Sequence, residues 1–406
     1  MNSPATTSFL AEVSMAPRDP ILGVTEAYNA DKNPKKVNLG VGVYYDEDGK
    51  VPLLECVRQA EHRMEAAPAP HVYLQGDGFA DYNRAVRDLV FGATSPVVTE
   101  GRVVTVQSLG GTGGLKIGAD FLKRFAPGAT VYISDPSWEN HRGLFEAAGF
   151  DVETYAYYDP ATRGVAFERM MADLERMPAG SVAVLHACCH NPTGADLSRD
   201  QWTSVIDVVT RRGLIPFLDI AYQGFGDGLD ADGEVVRRFA ATGRPSVVAN
   251  SFSKSFSLYG ERIGALSVVT TSKDESDRVL SQLKRVIRTN YSNPAAFGAK
   301  VVASVLNSSD GRAQWDSELA HMRDRIKSLR RQLVEKLKAR VPDSDFDFVI
   351  EQRGMFSYSG LTAEQVKRLR DEYSIYAIDT GRICVAALNS RNLDYVADAI
   401  AAVLKG

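Results

Sequence analysis

Asn250-Ser251-Phe252-Ser253-Lys254-Ser255-Phe256-Ser257-Leu258-Tyr259-Gly260-Glu261-Arg262 is the stretch on which the reading of this chain turns. The run before it, Pro245-Ser246-Val247-Val248-Ala249, is short and apolar, as a buried strand is. A lysine then stands among hydroxyls at the strand's end, with an arginine eight residues on. A lone lysine on a serine-rich loop is ordinarily solvated. A second reading competes with that one: a lysine that forms a Schiff base, with Ser251, Ser253 and Arg262 holding a phosphate. What else the chain brings to the same place decides between them.

Working outward, residues 102–269 alternate. Strands are expected at Arg102–Val106, Thr130–Ile133, Ser181–Ala187, Leu214–Asp219, Val247–Ala249 and Ala265–Val269. Helices are expected between them, at Leu115–Phe125, Gln201–Thr210 and Gly233–Ala241. This alternation implies an α/β fold with a largely parallel sheet covered on both faces. Pro216 fits that scheme only at a strand start or a bulge. Further on, Leu319, Met322, Ile326, Leu329, Leu333 and Leu337 recur at three- and four-residue steps and predict one long amphipathic helix. Its arginine- and lysine-rich face is expected in solvent. Strands at Phe346–Ile350, Phe356–Ser359 and Arg382–Ala386, with helices at Thr362–Tyr373 and Leu393–Leu404, predict a smaller α+β domain. Thr362 and Gln365 are spaced as a capping box. Residues 1–48 are expected as an N-terminal arm and part of the small domain, 49–310 as the large domain and 311–406 as the rest of the small one. Met1 to Ser8 is expected to be disordered, and Ala16 to Leu22 to run extended, because each proline biases its predecessor that way.

The totals bound the function. At 406 residues the chain is long enough for two cored domains. Its 44% apolar and 24% charged content is that of a soluble globular protein. The net charge of −4 comes from well-mixed charges, which argues against nucleic acid or an anionic membrane as partner. Four cysteines with no Cys-x-x-Cys pair suit a reducing compartment. No signal peptide and no membrane-spanning run is read, so a cytoplasmic location is expected.

Ligands of open α/β sheets bind beyond the carboxyl ends of the strands. There the sequence puts Ser108-Leu109-Gly110-Gly111-Thr112-Gly113-Gly114, opening onto a helix whose N-terminus favours an anion. Trp138, after the second strand, is either core or a plate for a flat ring. His186-Ala187-Cys188-Cys189-His190 could be taken for metal ligands. No metal site is expected, because neighbours along a strand point to opposite faces and no second ligand cluster exists. Asn191, Asp219 and Lys254 are spaced 28 and 35 residues apart, so one sheet edge can hold all three, with Tyr222 beside Asp219. Anion loop, flat aromatic, amide, carboxylate, phenol, lysine and Ser/Ser/Arg together suit a phosphorylated pyridine aldehyde. The lysine makes the imine, and the carboxylate keeps the ring nitrogen protonated.

With these residues in view, the chain resembles the class I aminotransferases of fold type I, in their aspartate and aromatic subgroup, from about Pro17 to Leu404. The resemblance rests on Asn38-Leu39-Gly40-Val41-Gly42, Tyr73-Leu74 with Gly78, Gly110-Gly111-Thr112-Gly113, Asn191-Pro192-Thr193-Gly194, Asp219-Ile220-Ala221-Tyr222, Ser251-Phe252-Ser253-Lys254, Tyr291-Ser292-Asn293-Pro294 and Gly381-Arg382. It implies a mostly parallel sheet of seven-stranded type and pyridoxal 5'-phosphate as cofactor. Lys254 would carry the cofactor and move the proton. Asp219 would pair with the ring nitrogen, with His186 behind it, and Tyr222 and Asn191 would bond the ring oxygen. Trp138 would stack on the ring. Gly111, Thr112, Ser251, Ser253 and Arg262 would hold the phosphate, joined by Tyr73 of a neighbouring subunit. Arg382 would grip the substrate α-carboxylate, and Arg288 would reach across from the neighbour to a side-chain carboxylate. Gly42, Trp138 and Asn191 would complete the substrate site. A homodimer with shared sites is implied, its N-terminal arm crossing over.

Where many aspartate enzymes read Ser-Lys-Asn-Phe-Gly-Leu-Tyr-Asn-Glu-Arg, this chain has Ser253-Lys254-Ser255-Phe256-Ser257-Leu258-Tyr259-Gly260-Glu261-Arg262. That version is similar to the bacterial aromatic (tyrosine) aminotransferases. The expectation is therefore a ping-pong transfer from tyrosine or phenylalanine, and also aspartate, to 2-oxoglutarate. The alternative is an aspartate aminotransferase with minor aromatic activity. A pyridoxal-phosphate lyase or decarboxylase is disfavoured by the Arg288 and Arg382 pair. A cofactor-sensing transcription regulator is disfavoured because residues 1–36 are too short for a DNA-binding module.

Overall fold

The computed structural model describes residues 8–16 and 20–405. Its centre is a seven-stranded sheet made of Val103–Leu109, Val131–Asp135, Val152–Ala156, Val182–His186, Ile215–Ile220, Ser246–Ser251 and Ile263–Val269. The sixth and seventh lie side by side, and in space the seventh separates the first from the sixth. The Ile263–Val269 strand runs antiparallel to both its neighbours, and the other pairings are parallel. Helices cover both faces, which is why most of the strands are buried along nearly their whole length rather than at alternate positions. Pro216 is the second residue of its strand, paired with Ala183. Its lack of an N–H is tolerated so near a strand start. Val152–Ala156 was not expected. Its burial is interrupted by exposed Glu153 and Thr154, as suits the sheet's edge.

The glycine-rich run after Val103–Leu109 is not a loop before a helix. The helix Gly110–Phe125 begins at once, so Gly111 and Thr112 form its first turn, where backbone N–H groups have no partner within the helix.

A smaller layer lies beyond the long helix Ser309–Arg340, which carries Leu319, Met322, Ile326, Leu329, Leu333 and Leu337 buried as its spacing predicted. Its basic face is not wholly solvated, however. Arg330 is fully buried and donates to the carbonyls of Val349, Gly354 and Phe356, clamping the loop ahead of the strand Phe356–Tyr358. That strand pairs antiparallel with Arg382–Cys384, with Tyr358 opposite Arg382. The N-terminal strand Val37–Asn38 joins this region by pairing parallel with Ile375–Tyr376. The Thr362/Gln365 capping box is formed.

Two local expectations fail. Phe348–Glu351 is a short helix rather than a strand. The alternation Asp345-Phe346-Asp347-Phe348 imitates a strand, but Asp345 Oδ1 accepts the Asp347 N–H at 2.9 Å and turns the chain. Ile21 and Leu22 belong to the helix Pro20–Ala30, not to an extended arm. A proline is well suited to a helix's first position. The expectations for Met1–Thr7 and Pro17–Asp19 lie outside the described residues.

Gly264 shows how tightly the sheet meets the glycine turn. A Cβ there would fall 2.4 Å from Gly110 C and 2.6 Å from Asn250 O, both backbone atoms that cannot swing aside. Gly264→Ala is expected to destabilise the fold by about 1–3 kcal/mol, the cost of overpacking a filled core. Gly128→Ala, with nothing within 4 Å, is the control and should be close to neutral. Urea unfolding of the two variants checks this.

Candidate active site

The carboxyl ends of the parallel strands, the first turn of Gly110–Phe125 and the Arg382 strand enclose a cavity of about 280 Å³. Gly42, Gly111, Thr112, Trp138, His186, Asn191, Asp219, Tyr222, Ser251, Ser253, Lys254, Arg262 and Arg382 all line it, and so do Ile21, Tyr259 and Phe356. Thirteen of the fifteen side chains and glycines picked out from the sequence thus converge. The other two do not reach it within one chain. Tyr73 is 91% exposed. Arg288, on the last turn of Lys273–Asn290, lies in a separate surface hollow with Gln75 and Lys284 and donates to Ser292 Oγ.

One end of the cavity is built for an anion. Arg262 stands in the left-handed region at φ 54°, which turns its guanidinium back toward Ser253. Nη1 donates to Ser253 Oγ at 3.2 Å and to the Tyr259 carbonyl at 3.0 Å. Gly110, at φ 70°, leaves the space the guanidinium needs, since a Cβ there would fall 2.4 Å from Nη2. Hydroxyls of Ser251, Ser253 and Thr112, a guanidinium and a helix N-terminus make a donor set that fits a phosphate ester.

At the cavity's floor sits Asp219, 9% exposed. Burial raises the affinity of its carboxyl for a proton, but the hydrogen bond and charge of His141, with the charge of Lys254 beyond, outweigh burial and hold it below the ordinary value. His141 Nε2 lies 3.0 Å from Asp219 Oδ2. Behind it, His186 Nε2 is 3.3 Å from His141 Nδ1, and His186 Nδ1 accepts the Asn191 backbone N–H at 3.1 Å. That amide can only donate, so the His186 proton is assigned to Nε2, from which it points at His141 Nδ1. The His141 proton then faces Asp219. Ser137 Oγ adds a bond to His141 Nδ1 at 2.9 Å. Burial lowers His186 to about 3, which keeps this relay uncharged at His186. The residue touching Asp219 is therefore His141, with His186 one ring further back than the sequence implied. His141 follows Trp138 closely in the chain, but nothing in spacing links it to a carboxylate 78 residues on.

Lys254 faces Asp219 across the cavity, with Nζ 4.7 Å from the centre of the Tyr222 ring. Burial lowers its amine to about 8, with Arg262 adding to the effect and Asp219 opposing it. No hydrogen bond within the described residues occupies Nζ. At the far side Arg382 is 1% exposed. Nη1 donates to Asn191 Oδ1 at 3.0 Å and Nη2 to the Gly40 carbonyl at 2.8 Å, while the guanidinium lies 4.4 Å from the Phe356 ring centre. Its Nε is buried without a partner, an unmet donor in an otherwise fixed group. The Phe356 ring also lies against Gly42 and, edge to face, Tyr222. Phe356 and Tyr259, whose OH accepts the Tyr44 N–H at 2.9 Å, were not singled out from the sequence.

Strand alternation lets at most half of His186, Cys188, Cys189 and His190 converge, but these residues do not all lie on a strand. The strand ends at His186, and Cys189 at φ 52° turns the chain, so the His186 and His190 rings come within 4.3 Å. Possible ligand atoms also cluster at His141/His186/Asp219 and at Cys188/Cys189/Asp232. In the second cluster the Asp232 oxygens are taken by the N–H groups of Gly224, Gly226 and Asp227.

Residues 34–400 match the sequence profile of the aminotransferase class I and II family. An aspartate aminotransferase of Pseudomonas aeruginosa is 60% identical over 397 residues, covering 98% of this chain and 100% of that protein. An aromatic-amino-acid aminotransferase of Escherichia coli is 52% identical over 387 residues, covering 95% and 98%. The crystal structure of an aromatic-amino-acid aminotransferase from Burkholderia pseudomallei, covalently bound to pyridoxal phosphate, superposes with a TM-score of 0.96 at 61% identity, over 98% of this chain and 100% of that one.

The lowered Lys254 amine has a consequence for stability in the cofactor-free protein. Below about pH 8 it is charged both folded and unfolded, and the fold bears the full cost of burying it. Between about 8 and 10.5 the folded form is neutral while the unfolded form still binds the proton, so that cost is relieved as pH rises. Lys254→Met is expected to unfold at higher denaturant than wild type at pH 7, with the gap narrowing through this window. Parallel urea titrations at pH 7, 8.5 and 10 test it; a constant gap would mean that the amine is not buried as a cation.

Proposed function

Because the chain belongs to the class I and II aminotransferases and is a pyridoxal-phosphate-dependent transaminase, we propose that it transfers the amino group of tyrosine or phenylalanine, and also of aspartate, to 2-oxoglutarate by a ping-pong cycle. The observation that carries the proposal is the opposition of Lys254 and Asp219 in one cavity, with a phosphate-suited cradle at one end and a fixed arginine at the other. When bound, pyridoxal 5'-phosphate supplies an aldehyde that condenses with amines and a protonated ring that withdraws electrons from the substrate's α-carbon.

In this reading each residue of the chain has a task. Ser251, Ser253, Thr112, Gly111 and Arg262 hold the phosphate. Asp219, kept ionised and oriented by His141, keeps the ring nitrogen protonated. Tyr222 and Asn191 bond the ring oxygen, and Trp138 covers the ring face. Lys254 would hold the cofactor, and its amine, with a pKa lowered by burial, is suited to move a proton as a general base working near neutral pH. Arg382 takes the α-carboxylate as a fork, a task its planar guanidinium does better than lysine's point charge. Gly42 leaves the substrate its space beside Phe356.

The proposal includes a homodimer in which Tyr73 and Arg288 reach the neighbour's cavity and the N-terminal arm crosses over. Exposed Phe9, Leu10, Val13, Met15, Val72, Tyr73 and Phe297 support it, since large apolar side chains at a surface commonly mark an interface. It also includes the division into residues 1–48, 49–310 and 311–406, supported by the pairing of Val37–Asn38 with Ile375–Tyr376. A cytoplasmic location is favoured by four unpaired cysteines. Among the described residues no helix is long and apolar enough to cross a membrane. The second reading is an aspartate aminotransferase with minor aromatic activity, favoured by the name of the Pseudomonas aeruginosa relative.

Two experiments test this. Borohydride treatment of the loaded protein is expected to fix the cofactor at Lys254, and Asp219→Ala to lower kcat far more than it weakens cofactor binding. A kcat within about tenfold of wild type, a barrier change of only ~1.4 kcal/mol, would make Asp219 structural. The second experiment separates substrates. Arg288→Leu is expected to cut kcat/KM for aspartate and glutamate by ~10²-fold, as loss of a charge-assisted pair does, while single turnovers with tyrosine and phenylalanine stay nearly unchanged. Arg382→Leu is expected to damage both classes alike. Undetectable phenylalanine turnover in wild type would select the second reading.

A further inference from the structure

The turn that carries Lys254 is built as a two-faced segment. Ser251, Ser253 and Lys254 line the cavity, while Phe252 and Phe256, four residues apart, are buried behind it. The Phe256 N–H meets the Phe252 carbonyl at 3.2 Å and the Ser257 N–H meets the Lys254 carbonyl at 3.1 Å, so the lysine rides on a single tight coil. That coil has few backbone bonds of its own, and most of what fixes it comes from outside.

What fixes it is a column of buried rings. Trp315, from the long helix Ser309–Arg340, stacks on Phe256 with centroids 4.5 Å apart and planes 23° apart. Phe256 meets Phe252 edge to face at 5.6 Å, and Phe252 meets Tyr82 at 5.9 Å. Tyr82 closes the column by donating to the Gly264 carbonyl at 2.7 Å, beside the glycine turn of the anion cradle. Stacking fixes distance but tolerates sliding. The directional contact is the indole of Trp315, which is fully buried and whose Nε1–H donates to the Ser255 carbonyl at 2.7 Å. That carbonyl lies in the Ser255–Phe256 peptide, one residue beyond Lys254, so the bond pins the turn between the lysine and the stacked Phe256 and restricts how the segment bearing the lysine stem can rotate.

We infer that Trp315 is a positioning residue for Lys254: its N–H bond to the Ser255 carbonyl, together with its stacking on Phe256, aims the lysine amine into the cavity toward Asp219. The inference rests on Lys254 being the cofactor-bearing lysine. Ring packing alone would make Trp315 a stability residue; the buried bond to the lysine's own turn makes it an aiming device. A donor lost there leaves a buried carbonyl unpaired, and the coil can reorient to satisfy it.

The test follows Lys254 itself. In cofactor-free protein, competitive acetylation across pH 6–11, read by mass spectrometry, gives the titration of the Lys254 amine, lowered by burial to about 8 in wild type. Trp315→Phe keeps an aromatic ring and removes the N–H. It is expected to raise the Lys254 midpoint by about half a unit or more, as the amine gains freedom to reach water. In the loaded protein it is expected to shift the pH midpoint of the visible absorption band and lower kcat ~10-fold with little change in KM. Trp315→His, which restores a ring N–H, is expected to recover part of both. Phe256→Leu, which leaves the indole donor but removes its stacking partner, should give a smaller shift in the same direction, and it decides the matter should Trp315→Phe fail to fold. Lower thermal stability with the Lys254 titration and the visible band both unmoved, in whichever variant folds, overturns the inference. Borohydride fixation at a different lysine in wild type would instead overturn the assignment of Lys254 and leave the ring column as packing.

Discussion

A carboxylate buried at the end of a central strand is the constraint on which the rest of this molecule depends. Asp219 sits on Ile215–Ile220, flanked by the strands that carry His186 and Ser251. An ion taken out of water and left unpaired costs several kcal/mol, so such a residue survives only if its surroundings compensate it. Compensation here is layered. His141 meets it directly, His186 holds His141, and the Asn191 amide holds His186. The chain of bonds ends in backbone, which no thermal rotation of a side chain can undo. The carboxylate is held charged by the histidine that meets it and by the nearby Lys254 charge, with no lysine or arginine in contact with it among the described residues. A ring nitrogen needs that condition in order to be held protonated.

The same layout explains why Lys254 and Asp219 are neighbours yet not an ion pair. Were they bonded, the carboxylate would draw the amine's pKa back up toward its ordinary value. Separated across the cavity, Lys254 feels burial and the Arg262 charge more than it feels Asp219, and its amine is lowered. The glycine turn and the left-handed Arg262 keep the anion cradle on the lysine's own side, at the other end of the same serine-rich segment. Under the proposed reading, one stretch of chain therefore supplies both the covalent anchor and the electrostatic one. Lys254 and Arg262 are eight residues apart on one segment, and Trp315 of the long helix holds that segment in place from behind.

That is also why so much was legible in the sequence. Strand ends, the glycine turn and the Ser/Ser/Lys/Arg segment are local features, and the sheet carries local features to a common edge whenever strands alternate with helices. What escaped was relational. His141 acts only through a contact 78 residues away, and Phe356 only through a strand pairing in the smaller layer. Arg330 was read as one more solvated cation on a basic helix face, since periodicity cannot tell which arginine meets three inward carbonyls. The error at Phe346–Ile350 is of another kind, an alternating pattern defeated by an aspartate that bonds its own backbone. The thiols and imidazoles after His186 were read as still on a strand when one positive φ had already turned them.

The two arginines assigned to substrate carboxylates are built in opposite ways, and the difference bears on how one pocket can serve two kinds of side chain. Arg382 is immobilised by Asn191, the Gly40 carbonyl and the Phe356 face. Its desolvation has been met on folding, so it is ready for a group that every α-amino acid presents and cannot easily withdraw. Arg288 has one hydroxyl partner, at an exposed helix end. Moving it from one solvated position to another costs little, whereas leaving a desolvated guanidinium against an aromatic ring without a counter-charge would cost several kcal/mol. Under the proposed reading, a pocket that must accept glutamate in one half-reaction and phenylalanine in the other needs its second arginine to be removable. An exposed arginine supplied from the rim by a second chain meets that need. One packed like Arg382 would commit the pocket to dicarboxylates.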